Sequence, residues 1–229
     1  MTERRCPLCY GEHNREIYRD QRKRVLDKHR VYYRCDRCNL IFVPPSYFLT
    51  AEAEKVEYDR HQNHPYDPGY RRFLSRLAEP LLARLAPGSE GLDFGSGPGP
   101  TLSVMLAEAG HTVAIYDPFY AVDTAVFERR YDFITATEVV EHLGQPQLEL
   151  DRLWDCLKPG AVLGIMTKLS RDDAAFARWH YKSDPTHICF FSVQTFEWLA
   201  VCWQAELTIL GQDVILLRKR SPAAPEADL

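Results

Sequence analysis

The chain has 229 residues, 45% of them hydrophobic and 26% charged, with a formal net charge of −4. That length can bury a substantial core, and that composition excludes a disordered or fibrous chain, so one main domain with a small appendage is expected. The longest apolar runs, such as Ala161 to Met166 and Val214 to Leu217, are too short to span a bilayer, and Met1-Thr2-Glu3-Arg4-Arg5 opens no signal-peptide core. The expectation is a cytoplasmic protein whose cysteines are ligands or core residues before they are disulfides.

Charge is unevenly spread. Residues 1–45 carry 11 Lys and Arg against 6 Asp and Glu, a balance of +5, while the remainder carries 17 against 26, a balance of −9. A basic front on an acidic body suits an anionic partner, although a small module with solvated arginines has the same composition. Within this front, Cys6-x-x-Cys9 and Cys35-x-x-Cys38 are paired knuckles 25 residues apart. Four thiolates so spaced can close around one tetrahedral ion and leave no open position, which predicts structural zinc, with rubredoxin-like iron as the alternative. The residues Gly11 and Asn39 tolerate the left-handed backbone of such turns. Strand material is expected at Val25 and at Val31-Tyr32-Tyr33, giving a zinc ribbon over 1–45.

Residues 46–87 read as a helical lead-in or cap, with Phe73, Leu74, Leu77, Leu81, Leu82 and Leu85 at helical intervals and Pro87-Gly88 closing it. Next, Gly91-Leu92-Asp93-Phe94 breaks into Gly95-Ser96-Gly97-Pro98-Gly99-Pro100, and Thr101 to Ala109 resumes helical spacing. This is strand, glycine loop, helix, with unpaired helix amides facing whatever the loop holds. The loop is not a dinucleotide fingerprint, because Pro100 occupies the position of its third small residue. A second strand, Thr112 to Tyr116, delivers Asp117 about 20 residues beyond the loop, where a doubly wound fold sets an acid on a ribose.

Only Pro118 to Arg130 separate that strand from Tyr131-Asp132-Phe133, too few for a helix–strand–helix crossover. A third strand is therefore shortened or missing, and Asp123 in this connection is a candidate acidic contact to a ligand. The fourth strand, Asp132 to Thr137, brings Glu138, Glu141 and His142 to the carboxyl edge of the sheet. A helix over Leu148 to Leu157 is expected to stop at Lys158-Pro159-Gly160, followed by a fifth strand from Ala161 to Thr167. Ser192 is the expected N-cap of a helix to Trp203. Glu206 to Leu210 and Val214 to Arg218 form a hairpin around Gly211, and residues 221–229 read as a disordered tail.

The glycine loop, Asp117 and the segment Tyr131 to Leu143 together resemble class I S-adenosylmethionine-dependent methyltransferases over roughly Gly88 to Lys219. The resemblance implies an α/β fold over 88–220: a Rossmann-like, doubly wound, mostly parallel sheet with a C-terminal antiparallel hairpin. It implies S-adenosyl-L-methionine at Asp93, Phe94, Gly95, Ser96, Gly97, Gly99, Asp117, Pro118, Thr137 and Glu138. Tyr66, Tyr70 and Arg71 are candidates for the cap over its methionine end. The ribbon resembles the zinc-binding piece preceding some methyltransferase domains, including sugar C-methyltransferases. The stretch Asp184-Pro185-Thr186-His187 with Phe190-Phe191-Ser192 resembles a subgroup signature on a substrate-facing loop. His187, His142 and Glu138 are the candidate acid/base residues, with His180 a further histidine of that loop. Cys156, Cys189 and Cys202 are expected in the core. The leading function is methylation of a small metabolite. The alternatives are an RNA methyltransferase touching phosphates through Arg19, Arg22, Lys23, Arg24, Lys28 and Arg30, and a non-catalytic binding module.

Overall fold

The computed structural model describes residues 4–21, 29–60 and 64–221. The Val25 strand, the cluster Arg22, Lys23, Arg24 and Lys28, and the expected tail from 222 onward lie outside these residues. Two sheets organise the rest. The larger has six strands in the order β5-β4-β6-β7-β10-β9: β4 (Glu90–Phe94), β5 (Thr112–Tyr116), β6 (Tyr131–Thr137), β7 (Leu157–Met166), β9 (Glu206–Leu210) and β10 (Val214–Arg218). Strands β5, β4, β6 and β7 are parallel, and β10 pairs antiparallel with both β7 and β9. This is the expected Rossmann-like sheet with its terminal hairpin. No strand lies between β5 and β6. A short 3-10 turn, Thr124–Glu128, capped by Asp123, fills the connection and leaves β5 as the edge strand.

Helix α2 (Pro68–Leu82) buries Leu74, Leu77, Ala78 and Leu81 against Phe133, Val162, Met166, Val214 and Leu216 on one face of the sheet. Helices α3 (Thr101–Glu108), α4 (Pro146–Asp155) and α6 (Val193–Trp203) complete the two layers. Ser192 caps α6 as expected, in a reciprocal box with Thr195. One expected boundary moves. Lys158-Pro159-Gly160 does not end a helix but lies inside β7, because Leu157 already pairs with Tyr131 and the extra residues are absorbed where the register shifts before Phe133 pairs with Val162.

The smaller sheet is antiparallel, β1-β2-β3-β8, with β1 (Asn14–Arg19), β2 (Val31–Cys35), β3 (Ile41–Phe42) and β8 (Cys189–Phe190). Its fourth strand comes from far along the chain. Ile41 and Phe42 pair with Phe190 and Cys189, and the Val43 amide donates to the Ile188 carbonyl. The ribbon therefore shares one continuous apolar core with the body, running from Cys6 through Phe176 and Phe190 to Leu217. Short α5 (Asp173–Arg178) is held from the ribbon side as well, since Arg34 donates to Asp173 at 2.9 Å and to the Arg171 carbonyl at 2.8 Å. Among the described residues no helix is long and apolar enough to cross a membrane.

Candidate active site

At the carboxyl edge of the parallel strands the glycine loop is held by backbone contacts. Gly95 and Ser96 donate to the Tyr116 carbonyl at 2.7 and 3.2 Å. Both Gly95 and Gly97 have positive φ, and a Cβ on Gly95 would meet Val139 at 2.4 Å, whereas one on Gly97 would meet nothing within 4 Å. Asp117 ties the loop to the end of β5: its Oδ2 accepts the Gly97 amide at 2.9 Å, and its Oδ1 accepts Phe119 and Tyr120 at 2.8 and 3.1 Å. Two oxygens offer about four lone-pair sites, so capacity remains for a ligand hydroxyl. Beneath the loop, burial pushes the Asp93 carboxyl up to about 6, opposed by the Thr135 hydroxyl donating at 2.8 Å.

The opposite side of the same edge is made of side chains. Glu138 follows β6 with φ +53, a left-handed conformation that bulky residues rarely take and that concentrates at functional sites. Its carboxyl is pushed up to about 8, first by burial and next by Glu141, which burial itself pushes up to about 7. The Tyr181 hydroxyl donates to Glu141 and lies 3.4 Å from Glu138. The His187 ring stands 4.8 Å from that of His142, centroid to centroid, and its Nδ1 lies 2.8 Å from the Tyr181 carbonyl. Burial and the neighbouring His142 lower His187 to about 3, so it stays neutral at ordinary pH and is a weak base.

These two sides face one cavity of about 760 Å³. Of the residues singled out in the sequence, Phe94, Gly95, Ser96, Gly97, Asp117, Pro118, Thr137, Glu138, His142 and His187 line it, and so does Tyr70. Asp93 and Gly99 are not on its wall. Arg71 pairs with Glu108 instead, Tyr66 is 74% exposed, Asp123 serves as a cap, and His180 stands exposed. Helix α1 (Ala51–Tyr58) contributes Glu54 and Tyr58 to the wall, and the Tyr120 hydroxyl holds its end by donating to Asp59 at 2.6 Å. Tyr58, Tyr120 and Asp184 went unmarked as site residues. The aromatic pair Phe119-Tyr120, just past Asp117-Pro118, was the available signal for one of them.

Arg30 was also unforeseen in its role. Counted among residues reaching for phosphate, it is instead 4% exposed and donates to the carbonyls of Asp184, Pro185 and His187, fixing the loop that carries the last wall residue. The knuckles lie farther out on the ribbon. Their four sulfurs are buried and lie within 4.8 Å of one another. The Cys6–Cys38 and Cys9–Cys35 separations are 3.6 and 3.4 Å. A tetrahedron with metal–sulfur bonds of about 2.3 Å has edges of about 3.8 Å, so the group fits an ion with little movement. Tyr10 and Asn39, and not Gly11, take the left-handed turns.

A six-stranded Rossmann-like sheet with one antiparallel strand beside its C-terminal edge, a glycine loop after the first parallel strand and an acid after the second define a methyltransferase-type fold. Residues 60–211 match the family model described as a methyltransferase domain. The chain belongs to that family, within the class I S-adenosylmethionine-dependent methyltransferases. It is 29% identical over 133 residues to a ubiquinone biosynthesis O-methyltransferase of Cereibacter sphaeroides, covering 56% of this chain and 53% of that one. The chain thus spans about half the length of the curated relative it matches. Among solved structures it is similar to a proposed S-adenosyl-L-methionine-dependent methyltransferase of Methanococcus maripaludis (TM-score 0.52, 13% identity, 76% of this chain and 94% of that one). It is likewise similar to magnesium protoporphyrin IX methyltransferase of Synechocystis PCC 6803 with bound SAH (TM-score 0.50, 12% identity, 76% and 97%).

Proposed function

We propose that the protein transfers a methyl group from S-adenosyl-L-methionine to a small-molecule acceptor. One observation carries this reading: a single cavity of about 760 Å³ joins the glycine loop to the Glu138, His142 and His187 side. That volume lies within the range of small-molecule sites, about 300–1,000 Å³. The donor would lie along Phe94 to Gly97, with ribose hydroxyls on Asp117 and its methionine end toward Thr137, Glu138 and Tyr70. In-line transfer needs alignment above all, and α1 with the Arg30-held loop would enclose the pair and exclude water. The name of the Cereibacter relative agrees with a small acceptor methylated on oxygen.

We assign the segments accordingly: ribbon over 1–45, lead-in and cap over 46–87, donor-binding body over 88–220. The four cysteines fit Zn²⁺, which when bound supplies a rigid crosslink between the knuckles; the chain's own part is to deliver four buried sulfurs from two turns. Burial of Arg30 weakens the RNA alternative, since one of its six basic contacts is consumed inside the protein. Calorimetric titration with S-adenosylhomocysteine tests the reading. Wild type should bind one equivalent, and Asp117→Ala should weaken binding by about 1.5–3 kcal/mol through lost charge-assisted hydrogen bonds. A protein that binds no donor or product would leave only the scaffold alternative.

A further inference from the structure

A second group of ligand-type side chains lies opposite the glycine loop, with His142 and His187 on the cavity wall and Glu141 buried beside them. One carboxylate oxygen of Glu141 and one ring nitrogen each of His142 and His187 lie within 4.8 Å of one another. Their hydrogen bonds orient them for a cation. The His142 Nδ1 lies 3.2 Å from the Thr186 carbonyl, and the His187 Nδ1 lies 2.8 Å from the Tyr181 carbonyl. A carbonyl only accepts, so each Nδ1 carries a hydrogen, and in the neutral ring the lone pair sits on Nε2. Backbone-anchored imidazoles of this tautomer are how proteins present histidine to metals.

Glu141 gives an independent sign. It is 0% exposed, and while its Oε1 accepts from Tyr181, its Oε2 is buried and makes no hydrogen bond of ordinary geometry, the Thr167 hydroxyl being the other donor near the carboxyl. Glu138 Oε1 is in the same condition. Such orphaned acceptors are uncommon in folded proteins and call for an explanation, of which a bound ion is one. A further carboxylate is near, with Asp184 Oδ2 3.8 Å from His187 Nε2. Glu138, His142, Asp184 and His187 all face the cavity.

Resting on the methyltransferase reading above, we propose that Glu141, His142 and His187 hold a divalent first-row metal ion that binds the acceptor oxygen to be methylated. Two imidazoles and a carboxylate suit manganese, iron, cobalt or zinc better than magnesium or calcium, which prefer all-oxygen shells. Three protein ligands leave positions open for an acceptor, unlike the closed four-cysteine group. A hydroxyl bound there is acidified and releases its proton to water. The oxygen's electron pair then forms the bond to the methyl carbon as the carbon–sulfur pair returns to sulfur, giving the methylated oxygen and a neutral thioether.

Mn²⁺ is the probe, because it favours oxygen and nitrogen and does not displace zinc from thiolates. Titrating the full-length, zinc-loaded protein and following the paramagnetic resonance of free Mn²⁺ should show one ion bound per chain. Pulsed spectra of the bound ion should carry nitrogen couplings from imidazole. Glu141→Gln and His142→Phe should each weaken uptake by at least about tenfold, with circular dichroism and thermal melting as the check on folding. Absence of Mn²⁺ uptake, a bound ion without nitrogen coupling, or both variants binding like wild type would each overturn the site. The titration needs neither donor nor acceptor, so its failure leaves the methyltransferase reading standing, whereas failure of the S-adenosylhomocysteine titration strikes that reading first.

Discussion

The two ends of the cavity are built on opposite plans. The proposed donor end is made of backbone from one stretch, Phe94 to Gly97, plus Asp117 some twenty residues later, and its hydrogen bonds run between neighbours in the same sheet. The proposed acceptor end is lined by side chains from three separate segments, Tyr58 on α1, His142 after β6, and Asp184 and His187 on the late loop, and a fourth segment, the ribbon, holds that loop through Arg30. The first plan gives a rigid, locally encoded cradle. The second gives a surface that changes whenever any one of four segments changes, and it is held together by long-range contacts. The difference predicts that the two ends can be damaged separately.

The largest effect should come from the ribbon. Cys38→Ser removes one of four buried sulfurs from the proposed zinc site, and structural zinc in small domains is worth about 10–16 kcal/mol of apparent binding energy, so most of the zinc expected there should be lost. With the ribbon loosened, Arg30 and β3 no longer hold residues 184–190, and activity should fall with them. Donor affinity should change little, because among the described residues none of the ribbon lines the cavity and Arg30 reaches only backbone carbonyls of the late loop. Metal analysis paired with S-adenosylhomocysteine calorimetry checks this. Equal loss at both ends would erase the distinction between them.

A matched pair of glycine variants sharpens the donor end. Gly95→Ala sets a Cβ 2.4 Å from Val139 at a positive φ. Crowding and backbone strain together should destabilise by about 3–5 kcal/mol. Gly97→Ala has positive φ but open space, so about 1–2 kcal/mol of strain is expected. Its methyl group enters the cavity, and donor affinity should drop at least about tenfold, or 1.4 kcal/mol. Thermal melts and calorimetry separate the two. A Gly97→Ala protein that binds the donor normally would move the ligand off the loop.

Legibility in the sequence followed the same division. Gly95, Gly97 and Asp117 could be read because each acts through its neighbours in the chain. The missing third strand was readable from thirteen residues of connection. Lys158-Pro159-Gly160 misled because proline and glycine ordinarily end elements, yet pairing of Leu157 with Tyr131 overrode that local preference. The pairing of Cys189 and Phe190 with the ribbon was invisible, since a two-residue strand has no period to detect. Arg30 and Asp184 could not be matched by any pattern, because their partners are more than 150 residues apart in sequence. What is assembled by tertiary packing leaves no spacing behind.

The buried acid under the loop offers a pH test of donor-end rigidity. Burial raises the Asp93 carboxyl from 3.8 to about 6 in the folded protein. The folded state therefore binds its proton more tightly than the unfolded state. Its contribution to stability is complete below about pH 4 and is lost as pH rises through 6, amounting to about 3 kcal/mol. Denaturant titrations of wild type and Asp93→Asn at pH 4, 5, 6 and 7 isolate it, because other carboxylates cancel in the difference. The gap between the two proteins should shift by that amount in favour of Asn as pH rises. A gap independent of pH would mean that the loop yields enough to hydrate the acid.

The smallest effect expected is at Tyr181, and it addresses the acceptor end alone. Its hydroxyl donates to Glu141, which is fully buried and whose other oxygen makes no hydrogen bond of ordinary geometry. Burial holds that hydroxyl well above its ordinary titration range, so it remains a donor at any working pH. Tyr181→Phe keeps the ring that packs 4.9 Å from Trp179 and 4.1 Å from His187, centroid to centroid, and deletes only the donor. Leaving a buried acceptor less satisfied should lower stability by about 1–2 kcal/mol. Donor affinity should change little, since Tyr181 lies off the cavity wall and its short hydrogen bond is to Glu141, with Glu138 farther away at 3.4 Å. If the carboxylate is positioned by this bond, turnover at saturating donor should fall while Mn²⁺ uptake weakens in parallel. If the tyrosine only fills space, Phe fills the same space and both readouts stay put. A variant that loses donor binding and keeps metal uptake would contradict the division of the cavity into two independently built ends.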